Sequence, residues 1–119
     1  MCSSDLNGFL AMKLTFVNEI AALCEGVGAD IDDVVRGLGS DPRIGREFLR
    51  PGPGWGGSCF PKDSRALVSI SAGHGYDFSI MRLVLQMNEV QKERIVEACR
   101  ALRDGPSQYA LLSDVTCAE

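Results

Sequence analysis

The stretch Pro51-Gly-Pro-Gly-Trp-Gly-Gly-Ser-Cys59-Phe-Pro-Lys62-Asp63 sets four glycines and three prolines around one cysteine, with a lysine and an aspartate three and four residues further on. Neither a helix nor a strand interior favours that composition, since glycine loses the most backbone entropy on folding and proline removes a donor. The flanks read as amphipathic helix. A loop this irregular between helices predicts that its backbone approaches something closely.

Several readings of the loop fail on context. Gly52-Pro-Gly54-Trp-Gly-Gly57 matches G-x-G-x-x-G, but that pattern binds dinucleotides only between a strand and a helix of a βαβ unit. Here no apolar strand precedes it, and Pro53 interrupts it. A Walker loop fails because Ser58 and Cys59 follow Gly57 in place of Lys and Ser/Thr. A cysteine protease needs a histidine base, and the single histidine, His74, lies in a glycine turn. What remains is a cysteine activated by its surroundings. Cys59 at the head of a helix beside Lys62 has the electropositive setting of nucleophilic thiols. The glycines leave room for a ligand and expose amide N–H groups suited to an oxyanion or a phosphate. Asp63 can orient a water or act as a base. A glycine turn around a buried structural cysteine is the alternative that the composition leaves open.

Outward from the loop the chain reads as all-α. Met1-Cys-Ser-Ser-Asp-Leu6 resembles one frame of a sequencing adapter translated from a GTG start, and is set aside as a non-native leader; the alternative is a native N-terminus capped by Ser4 or Asp5. From Asn7 to Val27, Leu10, Leu14, Val17, Ala21 and Cys24 form one helical stripe, widened by Phe9, Phe16, Ile20 and Leu23. A face that broad predicts a helix packed on two sides, by its own domain or by a second subunit. Gly26 and Gly28 end it, and Asp30 caps a short helix to about Leu38. After the turn at Gly39-Ser-Asp-Pro42, the segment Arg43 to Arg50 leads into the loop. Asp63 or Ser64 is expected to cap a third helix that stops at Gly73-His-Gly75. Asp77 or Ser79 opens the last, with Ile80, Leu83, Val84, Met87, Val90, Ile95, Ala98 and Leu102 expected inside and Gly105-Pro106 ending it. The tail to Glu119 carries an expected strand start at Tyr109–Leu112.

The bulk numbers set limits. The 119 residues suffice for one domain with a real core. A net charge of −4 disfavours a broad grip on nucleic acid. No apolar run reaches the length of a membrane span, and no secretory signal is present. Five irregularly spaced cysteines without Cys-x-x-Cys support neither a zinc site nor a disulfide framework, and fit reduced thiols in a cytoplasmic protein.

Gly54-Trp-Gly-Gly-Ser-Cys-Phe-Pro-Lys-Asp63 resembles the catalytic cysteine motif of the nucleotide-sugar 6-dehydrogenases, the UDP-glucose/GDP-mannose dehydrogenase family, with Trp55 where the family usually has Phe. Asn18-Glu-Ile-Ala-Ala-Leu-Cys-Glu, Gly28-Ala-Asp-Ile-Asp-Asp-Val, Asp41-Pro-Arg-Ile-Gly-Arg-Glu-Phe-Leu and Met87-Asn-Glu-Val-Gln follow the same order, so the resemblance covers about Asn7 to Asp104. It implies the helical central domain of an enzyme that oxidises a sugar C6 hydroxyl to a carboxylate in two NAD-dependent steps, through a cysteine thiohemiacetal and thioester. It also implies roles by position. Cys59 would be the nucleophile, Asp63 would place or activate water, and Asn7 would hold water and substrate. Phe48, Leu49, Arg50, Pro51, Gly52, Pro53, Gly54, Trp55 and Gly56 would line the sugar-nucleotide pocket. Arg43 would reach the substrate of the partner in a homodimer, and Lys62 with the backbone at Cys59 would face NAD. Phe60 after the cysteine favours UDP-glucose, since GDP-mannose members tend to have Leu there. The family's catalytic lysine would fall at position 3, which is Ser3 here. The flanking nucleotide-binding domains are absent from this chain, and the tail after Gly105 does not follow the family clearly.

Overall fold

Two helices of 26 residues, α1 (Cys2–Val27) and α4 (Ser79–Asp104), frame the shorter α2 (Ile31–Gly39) and α3 (Phe60–Gly73). The computed structural model describes residues 2–57 and 59–104, without the side chains of residues 2 and 3, and all its regular structure is helical. α1 packs most extensively on α3, and both touch α4. A 26-residue helix is about 39 Å long, which accounts for an elongated molecule of 53 × 32 × 23 Å. No helix among the described residues is long and apolar enough to cross a membrane.

The core lies where α1, α3 and α4 meet. Ala11, Trp55, Leu67, Met81 and Val84 form it, with Met12, Leu14, Phe60, Val68, Phe78 and Leu85 packed around. Gly8 makes this junction close. A Cβ there would stand 2.5 Å from Leu67 Cδ1 and 3.2 Å from Met81 Cε, so a side chain would force the ends of these two core residues to shift.

The helix ends follow local chemistry. α1 stops at Gly28, whose φ of 75° a non-glycine residue rarely adopts, and the Ala29 N–H closes the turn on the Cys24 carbonyl at 2.9 Å. Asp30 caps α2, its Oδ1 accepting from the Asp32 N–H at 2.9 Å. α3 starts one turn earlier than the sequence suggests. Its N-cap is Cys59, not Asp63 or Ser64, and Pro61 sits in the first turn, where its missing N–H costs nothing. Asp63 is thereby relieved of capping.

α4 corrects a second expectation. Its inward residues are Met81, Val84, Asn88, Gln91 and Leu102, while Ile80 and Leu83 are exposed. The helix is turned toward a partly polar stripe because Asn88 and Gln91 have backbone partners to meet in the loop at 52–55. On α1 the outcome is split: Val17 and Cys24 are buried, whereas Phe9, Phe16 and Leu23 face outward with Leu6 and Val27. The expected helix end at Gly105-Pro106 and the expected strand at Tyr109–Leu112 lie outside the described residues.

Candidate active site

The glycine loop is held from both sides by side chains three residues apart on two helices. At Gly52, the N–H donates to Asn18 Oδ1 of α1 at 2.9 Å, and the carbonyl accepts from Gln91 Nε2 of α4 at 2.8 Å. At Trp55, one carboxamide serves both backbone groups: the N–H donates to Asn88 Oδ1 and the carbonyl accepts from Asn88 Nδ2, each at 2.8 Å. The Trp55 indole Nε1–H donates to Thr15 Oγ1 at 2.9 Å. Thr15, Asn18, Asn88 and Gln91 are all buried. A loop without a regular ladder must satisfy its backbone groups elsewhere, and here two helix faces supply the partners.

The glycines divide by what surrounds them. Gly54, with φ 114°, has the Asn88 Oδ1 only 3.0 Å from where a Cβ would stand, with Lys92 Cγ at 3.3 Å. Its lack of a side chain is demanded by the protein's own packing. Gly52, Gly56 and Gly57 have nothing within 4 Å of a Cβ position. Of these, Gly57 still needs a φ of 91°, which favours glycine. Neither packing nor backbone conformation accounts for Gly52 and Gly56, which is consistent with space reserved for a ligand.

Beyond the loop, Cys59 stands exposed at the head of α3. One turn on, the Asp63 N–H donates to the Cys59 carbonyl at 2.8 Å, which places Asp63 on the same side of the helix. Asp63 is buried, at 7% exposure. Its Oδ2 accepts from Asn7 Nδ2 of α1 at 2.7 Å, across 56 residues of sequence. Lys62 Nζ lies 3.9 Å from Asp63 Oδ1 but is mostly solvated, so the pair adds little binding energy. A cysteine thus stands one helical turn from a buried carboxylate that a carboxamide donor holds, beside the loop. Together they can offer a nucleophile and a polar pair able to orient a water.

A family model described as "UDP-glucose/GDP-mannose dehydrogenase family, central domain" matches residues 4–90. The chain belongs to this family. It is 52% identical over 91 residues to the UDP-glucose 6-dehydrogenase TuaD of Bacillus subtilis, covering 76% of this chain and 20% of that protein. A UDP-glucose 6-dehydrogenase of Pseudomonas aeruginosa is 52% identical over 99 residues, covering 83% of this chain and 22% of that one. A solved UDP-glucose dehydrogenase from the archaeon Pyrobaculum islandicum superposes with a TM-score of 0.76 at 38% identity, over 80% of this chain and 22% of that one. The chain therefore spans about a fifth of the length of the curated relatives it matches.

Within this dehydrogenase-family domain the remaining candidates fall in three places. Leu49 and the Trp55 ring are core, at 3% and 5% exposure, so only their backbones can face a pocket. Phe48 is exposed with φ 60°, an uncommon conformation for a bulky residue, and its ring meets Phe60 at 6.1 Å. Pro51, Gly52, Pro53 and Gly54 are half-buried, whereas Arg50 and Gly56 are exposed. Arg43 stands on a separate turn, where its Nε and Nη2 donate to Asp41 at 3.0 and 2.7 Å. Lys13 Nζ ties this turn to α1 through the Ile44 carbonyl at 2.7 Å. Position 3 lies one turn before Asn7 on α1. Sequence reasoning quoted Asn18, Asn88 and Gln91 within motifs without giving them a role, and passed over Thr15 and Gly8. The available signal was polar residues paired at i, i+3 on helix faces otherwise apolar.

Proposed function

We propose that residues 7–104 are the central domain of an NAD-dependent UDP-glucose 6-dehydrogenase that oxidises C6 to the carboxylate. The observation that carries this is the Asn7–Asp63 bond of 2.7 Å, one helical turn from Cys59, beside a loop whose Gly52 and Gly56 face open space. Cys59 Sγ attacks the C6 aldehyde and holds that carbon as a thiohemiacetal, and later as a thioester. Asn7 donates to Asp63 and keeps its carboxylate oriented, so that Asp63 can align the water that hydrolyses the thioester. Backbone N–H groups at the head of α3 can stabilise the oxyanion formed in each addition. Phe48 to Gly56 supply the sugar-nucleotide wall. The exposed Lys62 and the open Gly56–Gly57 backbone suit one edge of a nicotinamide dinucleotide. NAD, when bound, supplies the hydride acceptor. Phe60 favours UDP-glucose, with GDP-mannose or a UDP-N-acetyl sugar as the alternative substrates.

The experiment is NADH formation from UDP-glucose by residues 7–104 expressed in their genomic context. Cys59→Ser should lower the rate of the complete double oxidation by about a thousandfold or more. An inactive unsubstituted protein, or a serine variant with an unchanged rate, contradicts the reading.

A second reading, a non-catalytic helical dimerisation module, is favoured by one observation. Leu6, Phe9, Phe16, Leu23 and Val27 are each more than half exposed on α1 at spacings of three, seven, seven and four residues, which lines them along one face. We place a second copy of the chain on this face in either reading. Arg43 would then reach the partner's substrate by leaving Asp41. Turnover separates the two readings, because only the enzyme requires Cys59.

A further inference from the structure

We infer that Asn88 is a positioning residue, which acts through the Trp55 peptide to hold the ligand-facing edge of the glycine loop. This rests on the reading that the loop lines the sugar-nucleotide pocket. Asn88 is 3% exposed, and both polar atoms of its carboxamide are committed to the two backbone groups of one residue: Oδ1 accepts from the Trp55 N–H and Nδ2 donates to the Trp55 carbonyl, each at 2.8 Å. Such a two-way grip fixes the rotation of the backbone about Trp55, which a single hydrogen bond leaves free. Gly54 is fitted to the same side chain, since any Cβ there would crowd Asn88 Oδ1 at 3.0 Å. Three residues earlier, the two backbone groups of Gly52 are likewise engaged, but by two side chains, Asn18 and Gln91. The pinned positions, Gly52 and Trp55, lie within the wall, and the exposed Gly56 follows immediately. Among the described residues, the Asn88 carboxamide bonds only to backbone atoms of Trp55, so it works on the ligand through the loop.

Apolar packing alone would bury α4 equally well, and would place Ile80 and Leu83 inside. Instead the helix exposes them and buries two carboxamides. A buried carboxamide pair stabilises only if every group is satisfied, and it then selects one backbone arrangement over its neighbours. That selectivity is what a loop of four glycines lacks by itself.

Trp55 is the single tryptophan of the chain, so its fluorescence reads the clamp without a label. Asn88→Asp provides the sharpest test. Its carboxylate accepts from the Trp55 N–H but cannot donate to the carbonyl, whereas the protonated acid does both. Burial raises such a carboxyl's pKa and brings its titration into an accessible range. Lys92, the charged side chain beside Gly54, is common to all variants. In the 119-residue chain, Asn88→Asp emission should be red-shifted at neutral pH and return to the unsubstituted position on acidification. Asn88→Ala should stay red-shifted throughout, and the unsubstituted chain should not move. In the genomic-context protein, Asn88→Ala should raise KM for UDP-glucose by about tenfold, the equivalent of two lost hydrogen bonds. KM for NAD should be unchanged, and Asn88→Asp should recover UDP-glucose affinity toward acid pH. Unshifted emission in Asn88→Asp at neutral pH, or an unchanged KM for UDP-glucose in a folded Asn88→Ala protein, overturns the inference. Should Asn88→Ala not fold, Asn88→Asp above and below its titration makes the comparison within one polypeptide. A lack of turnover in the unsubstituted protein overturns the dehydrogenase reading instead, and the emission series still decides the clamp.

Discussion

Asp63 sits inside the first turn of α3 and not at its cap, and the role proposed for it rests on that one-turn difference. A capping carboxylate would be spent on backbone N–H groups, whereas this one is held by Asn7. Its neighbour Ser64 is fully buried, and its hydroxyl has no hydrogen-bond partner among the described residues. Ser64→Ala removes that unsatisfied group and improves helix propensity, so it should stabilise the chain by about 1 kcal/mol in urea unfolding. Destabilisation would mean that the hydroxyl has a role the fold does not reveal. At the surface, the Arg43 side chain and then its backbone N–H hold the Asp41 carboxyl below its ordinary value of 3.8. A depressed folded-state value means that this tether is fully present above the unfolded carboxyl value and is lost as pH falls through the lowered one. It is therefore intact at neutral and mildly acid pH. The Asp41 carboxyl carbon, followed by NMR, should titrate at lower pH in the unsubstituted chain than in Arg43→Ala; equal midpoints would contradict the tether.

At the scale of elements, the loop's composition has two separate causes, and substitution can part them. Gly54→Ala meets Asn88 and a φ of 114°, and should cost about 2 kcal/mol of stability. Gly52→Ala and Gly56→Ala have open space and ordinary φ, and should leave the melting temperature almost unchanged while weakening UDP-glucose binding. Equal stability losses at all three positions would remove the argument for a ligand there. The helices themselves were largely legible: the broad apolar face of α1, the Asp30 cap and the glycine stops each follow from local rules that tertiary contacts did not override. The inward face of α4 was not legible. Ile80 and Leu83 make a better apolar stripe than one containing Asn88 and Gln91, and only the loop's backbone demand, unknown before folding, reverses the choice. For the same reason Cys59, Asp63 and Asn7 could be named by resemblance, while the clamp on Gly52 and Trp55 could not. Gly8 was silent as well, because a helical glycine gives no sign of the neighbour it admits.

For the whole molecule, the long helices leave an apolar face uncovered while the core is built on the opposite side of α1. Phe9, Phe16 and Leu23 together offer enough apolar surface for a helix–helix seam. The chain should sediment as a dimer, and Phe16→Glu with Leu23→Glu should convert it to a folded monomer; a strict monomer before substitution would contradict this use of α1. The central claim concerns Cys59, and peptide mapping by mass spectrometry tests it most directly. Residues 7–104 in their genomic context, carrying Asp63→Asn to slow hydrolysis, would be mixed with UDP-glucose and NAD and quenched in acid. The Cys59 peptide should carry the mass of the sugar-nucleotide acyl group as a thioester. Turnover with that peptide unmodified, or an adduct at another residue, would contradict the assignment of Cys59 as the nucleophile.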